Sequence, residues 1–280
     1  MNYIEIKAPA KINIGLSILS KRADGFHNLS TLFYPISDLF DVLIFEQANQ
    51  FEFHCDSDLV PGDNSNLVVK AKNILEEVTG KTLKVKIELQ KNIPSQAGLG
   101  GGSSDAAAAL ISLNEMFKLN LNHDMLIDLA LQLGSDVPFF IKSKPAIGSS
   151  RGETLDYVDL EIHEPILIVN PGINISTKEA FQNVSPKKVQ FDLHSIIKNG
   201  KLDYEIINRE LKNDFENYVF EKYPEIEAIK KQLCKEGAIF SLLSGSGSTV
   251  YGIFPNIKLA EMAKSNISGE YFSFLSNPPY

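Results

Sequence analysis

A glycine-rich stretch is the part of this sequence best suited to chemistry. Residues 97–110, AGLGGGSSDAAAAL, hold four glycines within six positions and then run into four alanines. A tight turn packed on a sheet needs fewer glycines, and this many let successive backbone N–H groups face one ligand. The helix that follows adds unpaired N–H donors and the positive end of its dipole. The pattern therefore favours an anion site, such as one for phosphate, over a packed turn.

Three standard phosphate-binding patterns do not fit this loop. A Walker A loop requires a lysine directly after its last glycine, and none follows Gly102. In the dinucleotide fingerprint G-x-G-x-x-G the last position falls on Ser103 or on Asp105, depending on the starting glycine. The protein-kinase glycine loop fails on the same spacing. The positive charge for a phosphate must therefore come from elsewhere in the chain.

The residues directly after the glycines leave one question open. We expect Ser103 or Ser104 to cap a helix over residues 105–117, in which the alanines are strong helix formers. Asp105 suits an empty helix start but repels a bound phosphate. Either this carboxylate faces away as a structural cap, or a divalent cation lies between it and the phosphate.

Two charged residues outside the loop stand where chemistry is possible. Lys11 is flanked by Ala10 and Ile12, so it points into a cleft or, as for most lysines, lies on the surface. Taken alone, the surface interpretation is favoured. Asp136 follows a helix stop at Gly134 and precedes a proline and an apolar run that we predict as a strand. Its simplest interpretation is a turn or cap residue.

Hydrophobic periodicity predicts the elements that position these residues. Strands are expected over residues 3–8 and 11–18, with a turn near Pro9, and over 39–45, 51–55, 84–90, 166–169, 238–243, 249–254 and 271–275. Helices are expected over 67–78, capped by Asn66 and stopped by Gly80, and over 105–117, 123–133, 205–220, 224–236 and 258–265. The order of elements in the second half predicts one antiparallel sheet, and the whole an α+β fold.

Size and composition limit the classes of protein. The chain has 280 residues, which predicts two domains, and we place them at 1–157 and 158–280. The net charge of −8 disfavours a general nucleic-acid or anionic-membrane surface. Cys55 and Cys234 are far apart and fit a reducing cytoplasm, and the sequence offers neither a signal peptide nor an apolar run of membrane-spanning length. We expect a cytoplasmic protein.

Taken together, these pieces resemble the GHMP kinases, the family of galactokinase, homoserine kinase and mevalonate kinase. The family signature is P-x-x-x-G-L-G-S-S-A, and here Pro94 precedes G-L-G at residues 98–100, with two additional glycines before S-S-D-A. That longer loop is similar to one branch of the family. Further matches to this branch lie in the family's order and span nearly the whole chain: APAKINIGLSI, KRADGFHNLSTLF, LGSDVPFFI, RGETL, PGINIST and LLSGSGSTVYGIF.

The resemblance implies both a fold and an activity. The fold is the two-domain GHMP kinase fold, with an N-terminal ribosomal-protein-S5-domain-2-like domain and a C-terminal ferredoxin-like domain. The activity is transfer of phosphate from ATP, with Mg²⁺, to the C2 hydroxyl of 4-diphosphocytidyl-2-C-methyl-D-erythritol in the non-mevalonate isoprenoid pathway. The implied partners are small molecules only, without nucleic acid or membrane, and the implied assembly is a monomer or homodimer.

The resemblance also assigns residues by motif position. Lys11 and Asp136 match the catalytic pair, and Asn13, Phe26, His27 and Phe181 match the diphosphocytidyl pocket. The phosphate loop comprises Pro94, Ser95, Gln96, Ala97, Gly98, Leu99, Gly100, Gly101, Gly102, Ser103 and Ser104. Ser104 is the side chain expected to meet magnesium. Phe26 stands where the pattern often has tyrosine, so a π face for stacking remains while a hydroxyl hydrogen bond is lost.

Two other functions compete with this one. Another GHMP kinase, for homoserine or mevalonate, is disfavoured by the segment RADGFHNL and by the extended glycine loop. A non-catalytic nucleotide-binding protein of the same fold would be expected to lose Lys11 or Asp136, and both are present. Phosphorylation of a small alcohol is therefore the prediction.

Overall fold

The computed structural model describes residues 2–186 and 191–277, which form two compact units. One unit contains residues 2–10, 39–95 and 100–143, and the other contains 11–38, 96–99 and the described residues from 144 onward. Two long strands, β1 (Tyr3–Lys21) and β2 (His27–Gln47), contribute residues to each unit. The predicted domain boundary at 157/158 stays a prediction.

Strand β1 is continuous, so the predicted turn near Pro9 is wrong. Proline fixes φ near −65°, which an extended chain accommodates where the missing N–H is not needed by a neighbouring strand. Proline is therefore compatible with a strand here and marks no turn.

The first unit combines short strands with four helices. Its elements, besides its parts of β1 and β2, are β3 (Glu52–Cys55), α1 (Leu67–Thr79), β4 (Val85–Gln90), α2 (Gly101–Met116), α3 (His123–Leu133) and α4 (Val137–Lys142). Strand β4 pairs antiparallel with residues 42–47 of β2 and parallel with β3. Helix α1 packs against α2.

Local sequence sets the ends of α1 as predicted. The Asn66 side chain accepts a hydrogen bond from the Val68 N–H at 2.8 Å, and Gly80 ends the helix with φ of +66°. Helix α3 also has its predicted bounds, with Asn122 as its cap. Both helices are confirmed.

Helix α2 begins earlier than predicted. It starts at Gly101 rather than at Asp105, and its N-cap is Gly100 with φ of +75°. The expectation that Ser103 or Ser104 caps the helix is therefore wrong, since both serines lie inside its first turn. A left-handed glycine makes the entry into this helix without any side-chain cap.

The apolar run after Asp136 is a helix and not the predicted strand. Helix α4 has a proline in its first turn, where the missing N–H costs no helical hydrogen bond. Four consecutive side chains, residues 137–140, are buried, so the run shows no helical periodicity in the sequence. A short apolar run buried on all sides cannot be assigned by periodicity alone.

The second unit contains the remaining elements of the described chain. They are β5 (Ala146–Ser149), β6 (Thr154–Tyr157), β7 (Ile166–Asn170), α5 (Thr177–Gln182), a 3₁₀ helix (Leu193–Ile196), β8 (Ile197–Lys198), β9 (Lys201–Leu202), α6 (Tyr204–Glu210), α7 (Glu216–Lys222), α8 (Pro224–Lys235), β10 (Phe240–Leu243), β11 (Val250–Ile253), α9 (Ile257–Ser265) and β12 (Phe272–Ser276). Strand β5 pairs antiparallel with residues 31–33 of β2 and with β6.

The predicted antiparallel sheet of the second half is confirmed. Its strand order is β10-β11-β7-β12, and each neighbouring pair is antiparallel. Apolar side chains from β7, β10 and β11 form a buried cluster with Ile226, Ile229 and Leu233 of α8. This cluster is the core of the second unit.

The helix predicted over residues 205–220 is two helices, α6 and α7. Between them the backbone of Lys212 accepts a hydrogen bond from the Leu16 N–H, and the Asp214 N–H donates to the Leu16 carbonyl. The Asn213 amide donates to the Leu243 and Gly245 carbonyls, each at 2.8 Å. Tertiary pairing with β1 and β10 thus interrupts a helical pattern.

Every helix in the described part of the chain is too short or too polar to cross a bilayer.

Candidate active site

Lys11 is buried beside the glycine loop. Only 3% of its surface is exposed, so its interpretation as a surface lysine is wrong. Its Nζ donates to the Asn13 Oδ1 at 2.6 Å and to the Gly98 carbonyl oxygen at 2.9 Å. A buried ammonium requires such acceptors because desolvation of an unpaired charge is costly. The structure therefore brings together Lys11, Asn13 and Gly98 of the predicted site residues.

The middle of the glycine loop is tied to β1 and to a second glycine-containing loop. The Lys11 N–H donates to the Leu99 carbonyl at 2.9 Å, and the Thr249 N–H donates to the Ala97 carbonyl at 3.2 Å. Gly98 has φ of +78°, and a Cβ at this position would lie 2.1 Å from the Ser244 carbonyl oxygen. Only glycine permits this close approach, so the close packing of the two loops explains why position 98 is a glycine.

Ser244 is a site residue that the sequence prediction missed. Its Oγ donates to the Gly98 carbonyl at 2.9 Å and accepts from the Asn13 N–H at 3.3 Å. It lies in the segment SGSGS, residues 244–248, which the family resemblance includes but to which we assigned no role. The alternation of glycine and serine in this second loop is the sequence feature that could have pointed to Ser244.

The start of α2 offers hydrogen-bond donors at the end of the glycine loop. The Ser104 N–H donates to the Gly100 carbonyl at 2.9 Å, so the amides of residues 101–103 precede the first helical hydrogen bond. The Ser104 Oγ is buried and makes no hydrogen bond to any described residue. A buried hydroxyl without a protein acceptor fits a ligand contact at this position.

The contacts of Asp105 match neither of the two alternatives that the sequence leaves open. Its Oδ2 accepts from the Lys91 Nζ at 2.9 Å, and the same ammonium pairs with Asp41. The Asp41 Oδ1 also accepts from the backbone N–H groups of Asn92 and Ile93 at 2.7 and 2.8 Å. Burial, assisted by the neighbouring Asp41, raises the pKa of Asp105 to about 8. Asp105 is thus a buried, paired group and not an exposed cap.

Aromatic residues of the predicted base pocket lie in the second unit. The rings of His27 and Phe181 are stacked with centroids 5.1 Å apart, and Phe181 meets Phe215 edge to face. Burial, assisted by Lys21, lowers the pKa of His27. Phe26 is 49% exposed, and its ring lies 4.6 Å below the guanidinium carbon of Arg151.

Asn13 is fixed by its neighbours. Its side-chain oxygen accepts from Lys11, and its side-chain NH₂ donates to the Thr31 Oγ1 at 2.9 Å. Its backbone carbonyl accepts from the Tyr251 hydroxyl at 3.0 Å. Asn13 is buried, so its visible role is to orient the Lys11 ammonium. Its predicted contact with substrate stays a prediction.

Asp136 belongs to the first unit and precedes α4. It occupies the N-cap position with helical backbone angles, half-buried, and its side chain makes no capping hydrogen bond. Asp136 thus lies in a turn and at a cap position, as predicted, but its side chain does not cap the helix. Its pairing with Lys11 in catalysis stays a prediction.

These features fit the binding of phosphate groups. A glycine loop beside a fixed ammonium can bind phosphate oxygens. No group of three or more His, Cys, Asp or Glu side chains within residues 2–186 and 191–277 could hold a metal ion by itself.

Comparison with known families identifies two matching regions. The description "GHMP kinases N terminal domain" matches residues 66–144, and "GHMP kinases C terminal" matches residues 194–272. The first region contains the glycine loop and Asp136.

Curated relatives match over nearly the full length of the chain. The 4-diphosphocytidyl-2-C-methyl-D-erythritol kinase of Chlorobium phaeobacteroides is 40% identical and covers 100% of this chain and 99% of its own. The protein of the same name from Bacteroides fragilis is 42% identical over 90% of this chain and 93% of its own.

Solved structures show the same architecture. A crystal structure of 4-(cytidine 5'-diphospho)-2C-methyl-D-erythritol kinase has a TM-score of 0.81 at 32% identity, covering 97% of this chain and 98% of that one. A homoserine kinase from Cytophaga hutchinsonii has a TM-score of 0.75 at 20% identity, covering 99% and 95%. The second likeness concerns the fold alone.

Proposed function

Because the chain belongs to the GHMP kinases and, within them, to the family of 4-diphosphocytidyl-2-C-methyl-D-erythritol kinases, we propose that it phosphorylates the C2 hydroxyl of that diphosphocytidyl alcohol with ATP. The products are the 2-phosphate and ADP, in a step of the non-mevalonate isoprenoid pathway. The observation that carries the proposal is the hydrogen bond from the buried Lys11 ammonium to the carbonyl of Gly98, at the centre of the glycine loop.

Lys11 supplies the positive charge that the loop itself lacks. Phosphoryl transfer proceeds through a loose transition state, so the protein acts mainly by positioning and by stabilising charge. Asn13 and the Gly98 carbonyl hold the ammonium of Lys11 in one place before any ligand binds. A preorganised cation needs little reorganisation when negative charge develops on the transferred group.

The residues at the start of α2 fit a magnesium-bound nucleotide. The buried Ser104 Oγ has no hydrogen-bond partner among the described residues and would reach the metal, while the amides of residues 101–103 would hold phosphate oxygens. Magnesium typically keeps waters and phosphate oxygens as ligands and needs few protein groups. When bound, it would neutralise charge on the β- and γ-phosphates.

Asp136 is proposed to orient the acceptor hydroxyl. A carboxylate is a weak base toward an alcohol, so early deprotonation by Asp136 is disfavoured. We propose that Asp136 accepts the proton late, when the new bond from oxygen to phosphorus makes that proton acidic. Its half-buried position, directly before α4, is consistent with this role.

The cytosine of the acceptor is proposed to bind at Phe26, His27 and Phe181. A phenyl ring offers a face for stacking, and the exposed surface of Phe26 is accessible to a base. The His27 ring, stacked on Phe181, would offer a nitrogen to the base edge.

The protein is proposed to work in the cytoplasm as a monomer or homodimer, on small molecules alone.

A panel of acceptors tests the activity. The purified protein is incubated with ATP, Mg²⁺ and one alcohol at a time: the diphosphocytidyl alcohol, homoserine or mevalonate. ADP release is expected with the diphosphocytidyl alcohol only. Release of ADP with homoserine or mevalonate, and none with the diphosphocytidyl alcohol, would assign the protein to another branch of the family.

The role of Asp136 is tested by single-turnover kinetics. Asp136→Asn keeps the size of the side chain and removes its ability to take a proton. Phosphorylation in a single turnover is expected to be slowed by about a hundredfold or more, as for loss of a general base. A variant that phosphorylates at nearly the normal rate would remove Asp136 from this role.

A further inference from the structure

Polar contacts join the hairpin that carries Phe26 to the turn between β5 and β6. The Phe26 N–H donates to the Asp24 Oδ1 at 3.1 Å, and Arg22 binds the Asp24 Oδ2 at 2.8 Å. The Arg22 Nη1 donates to the Ser150 Oγ at 2.8 Å. The backbone of Ser150 also accepts from the Leu29 N–H at 2.7 Å. The two turns are thereby held together.

Glu153 extends these contacts to Arg151. The Ser150 Oγ donates to the Glu153 Oε1 at 3.0 Å, and the Arg151 N–H donates to the Oε2 at 2.7 Å. Burial raises the pKa of Glu153, but the hydrogen bonds from backbone N–H groups and from Ser150 outweigh it and lower the pKa overall. The resulting carboxylate lies 3.5 Å from the Arg151 Nε and restrains its side chain.

The Arg151 guanidinium lies over the Phe26 ring. Its guanidinium carbon lies 4.6 Å from the ring centroid, within the range of a cation–π contact. About a fifth of the Arg151 side chain is exposed, whereas Phe26 keeps 49% of its surface exposed. The guanidinium therefore supports the ring while leaving surface for another stacking partner.

From this geometry we propose that Arg151 is a positioning residue for base recognition, which holds the Phe26 ring in place to stack on the cytosine of the acceptor. This inference rests on the proposed function. An exposed phenylalanine near a hairpin tip would lose side-chain freedom when a base binds, and a ring fixed beforehand loses less. Arg151 then acts through Phe26 and does not itself touch the substrate.

Steady-state kinetics of three variants test the proposal. Arg151→Met keeps most of the chain length and removes the cation, so the KM for the diphosphocytidyl alcohol should rise about threefold to tenfold. The kcat and the KM for ATP should not change. Arg151→Lys restores a cation over the ring and should recover part of the affinity. Arg209→Met removes an exposed arginine paired with its neighbour Glu210 and is the matched control.

A double-mutant cycle shows whether Arg151 acts through Phe26. Dissociation constants for cytidine and for CDP are measured on Arg151→Met, Phe26→Leu and the double variant. We expect Arg151→Met to weaken both ligands by the same factor and to have no further effect once Phe26 is leucine. Loss confined to CDP would identify a direct contact with phosphate and overturn the proposal, as would additive effects of the two substitutions.

The contact itself is tested without any ligand. In the free protein the ring current of Phe26 should shift the Arg151 Hε resonance upfield, and Phe26→Leu should abolish this shift. An unshifted resonance would overturn the proposal. If the wild-type protein is active and Arg151→Met keeps its KM, this inference alone fails. If the wild-type protein phosphorylates none of the acceptors, the proposed function fails and this inference with it.

Discussion

The Lys11 ammonium lies 2.9 Å from the carbonyl oxygen of Gly98, although the two residues are 87 positions apart in the chain. A charge from the first strand is thus fixed on the glycine loop, which carries no lysine of its own. The same carbonyl also accepts from the Ser244 hydroxyl. These contacts define where the loop is held and where its positive charge comes from.

Removing the Lys11 charge should abolish most activity. Lys11→Met should lower kcat about a hundredfold or more, because a preorganised group that stabilises transition-state charge is lost. Lys7→Met is the matched control, since Lys7 is exposed on the same strand and lies over the Phe40 ring. Circular dichroism checks that both variants are folded. Equal kcat values for the two variants would show that Lys11 has only a structural role.

Gly98 should tolerate no side chain. Gly98→Ala places a Cβ 2.1 Å from the Ser244 carbonyl in a left-handed conformation, so the free energy of unfolding should fall by about 2–4 kcal/mol. Gly102→Ala is the comparison, since a Cβ there meets nothing nearer than 3.9 Å and lies in a helix. That variant should gain about 0.5–1 kcal/mol. Urea unfolding measures both, and similar values for the two variants would contradict the close approach at Gly98.

Lys91 should be essential for the stability of the first unit. Lys91→Met leaves the fully buried Asp41 without its cation, and an uncompensated buried charge costs about 3–5 kcal/mol of unfolding free energy. Lys86→Met removes an exposed ammonium from Glu88 and should leave the stability unchanged. Chemical denaturation compares the two. A Lys91→Met variant as stable as the wild type would mean that the Asp41 carboxylate does not need its counter-ion.

The stability of the protein should decrease between neutral and mildly acidic pH partly through His27. Its pKa is lowered by burial and by Lys21, so the unfolded chain binds a proton more readily than the folded one. The contribution of His27 is complete above its unfolded pKa of about 6.5 and is lost as the pH falls through the lower, folded pKa. His27→Gln should flatten this part of the profile. An unchanged slope, or a His27 pKa above 6.5 by NMR, would contradict the lowered pKa.

The sequence predicts helix ends correctly where they depend on residues adjacent in the chain. The ends of α1 follow from the Asn66 side chain and the left-handed Gly80, both within one turn of the helix. The predicted start of α2 is wrong because the left-handed Gly100, and not a serine, occupies the N-cap position. The strand prediction for the α4 run is wrong because buried residues on all sides leave no periodicity.

Contacts distant in sequence account for the rest of the candidate site. A lone lysine between apolar residues gives no sign that its acceptor is the Gly98 carbonyl, and only the family resemblance assigns Lys11 a catalytic role. Ser244 had no such assignment, and its contact with Gly98 spans 146 positions. Neither alternative for Asp105 includes Lys91, which lies before the loop in the sequence and also pairs with Asp41.

The ³¹P NMR spectrum of the reaction product tests the central claim most directly. The protein is mixed with ATP, Mg²⁺ and the diphosphocytidyl alcohol, and the proton-coupled spectrum is recorded at completion. C2 carries a methyl group and no hydrogen, so phosphorylation there predicts a new phosphomonoester signal without three-bond coupling to protons. A new signal split by such coupling would place the phosphate on another hydroxyl, and the absence of any new phosphomonoester would contradict the proposed activity.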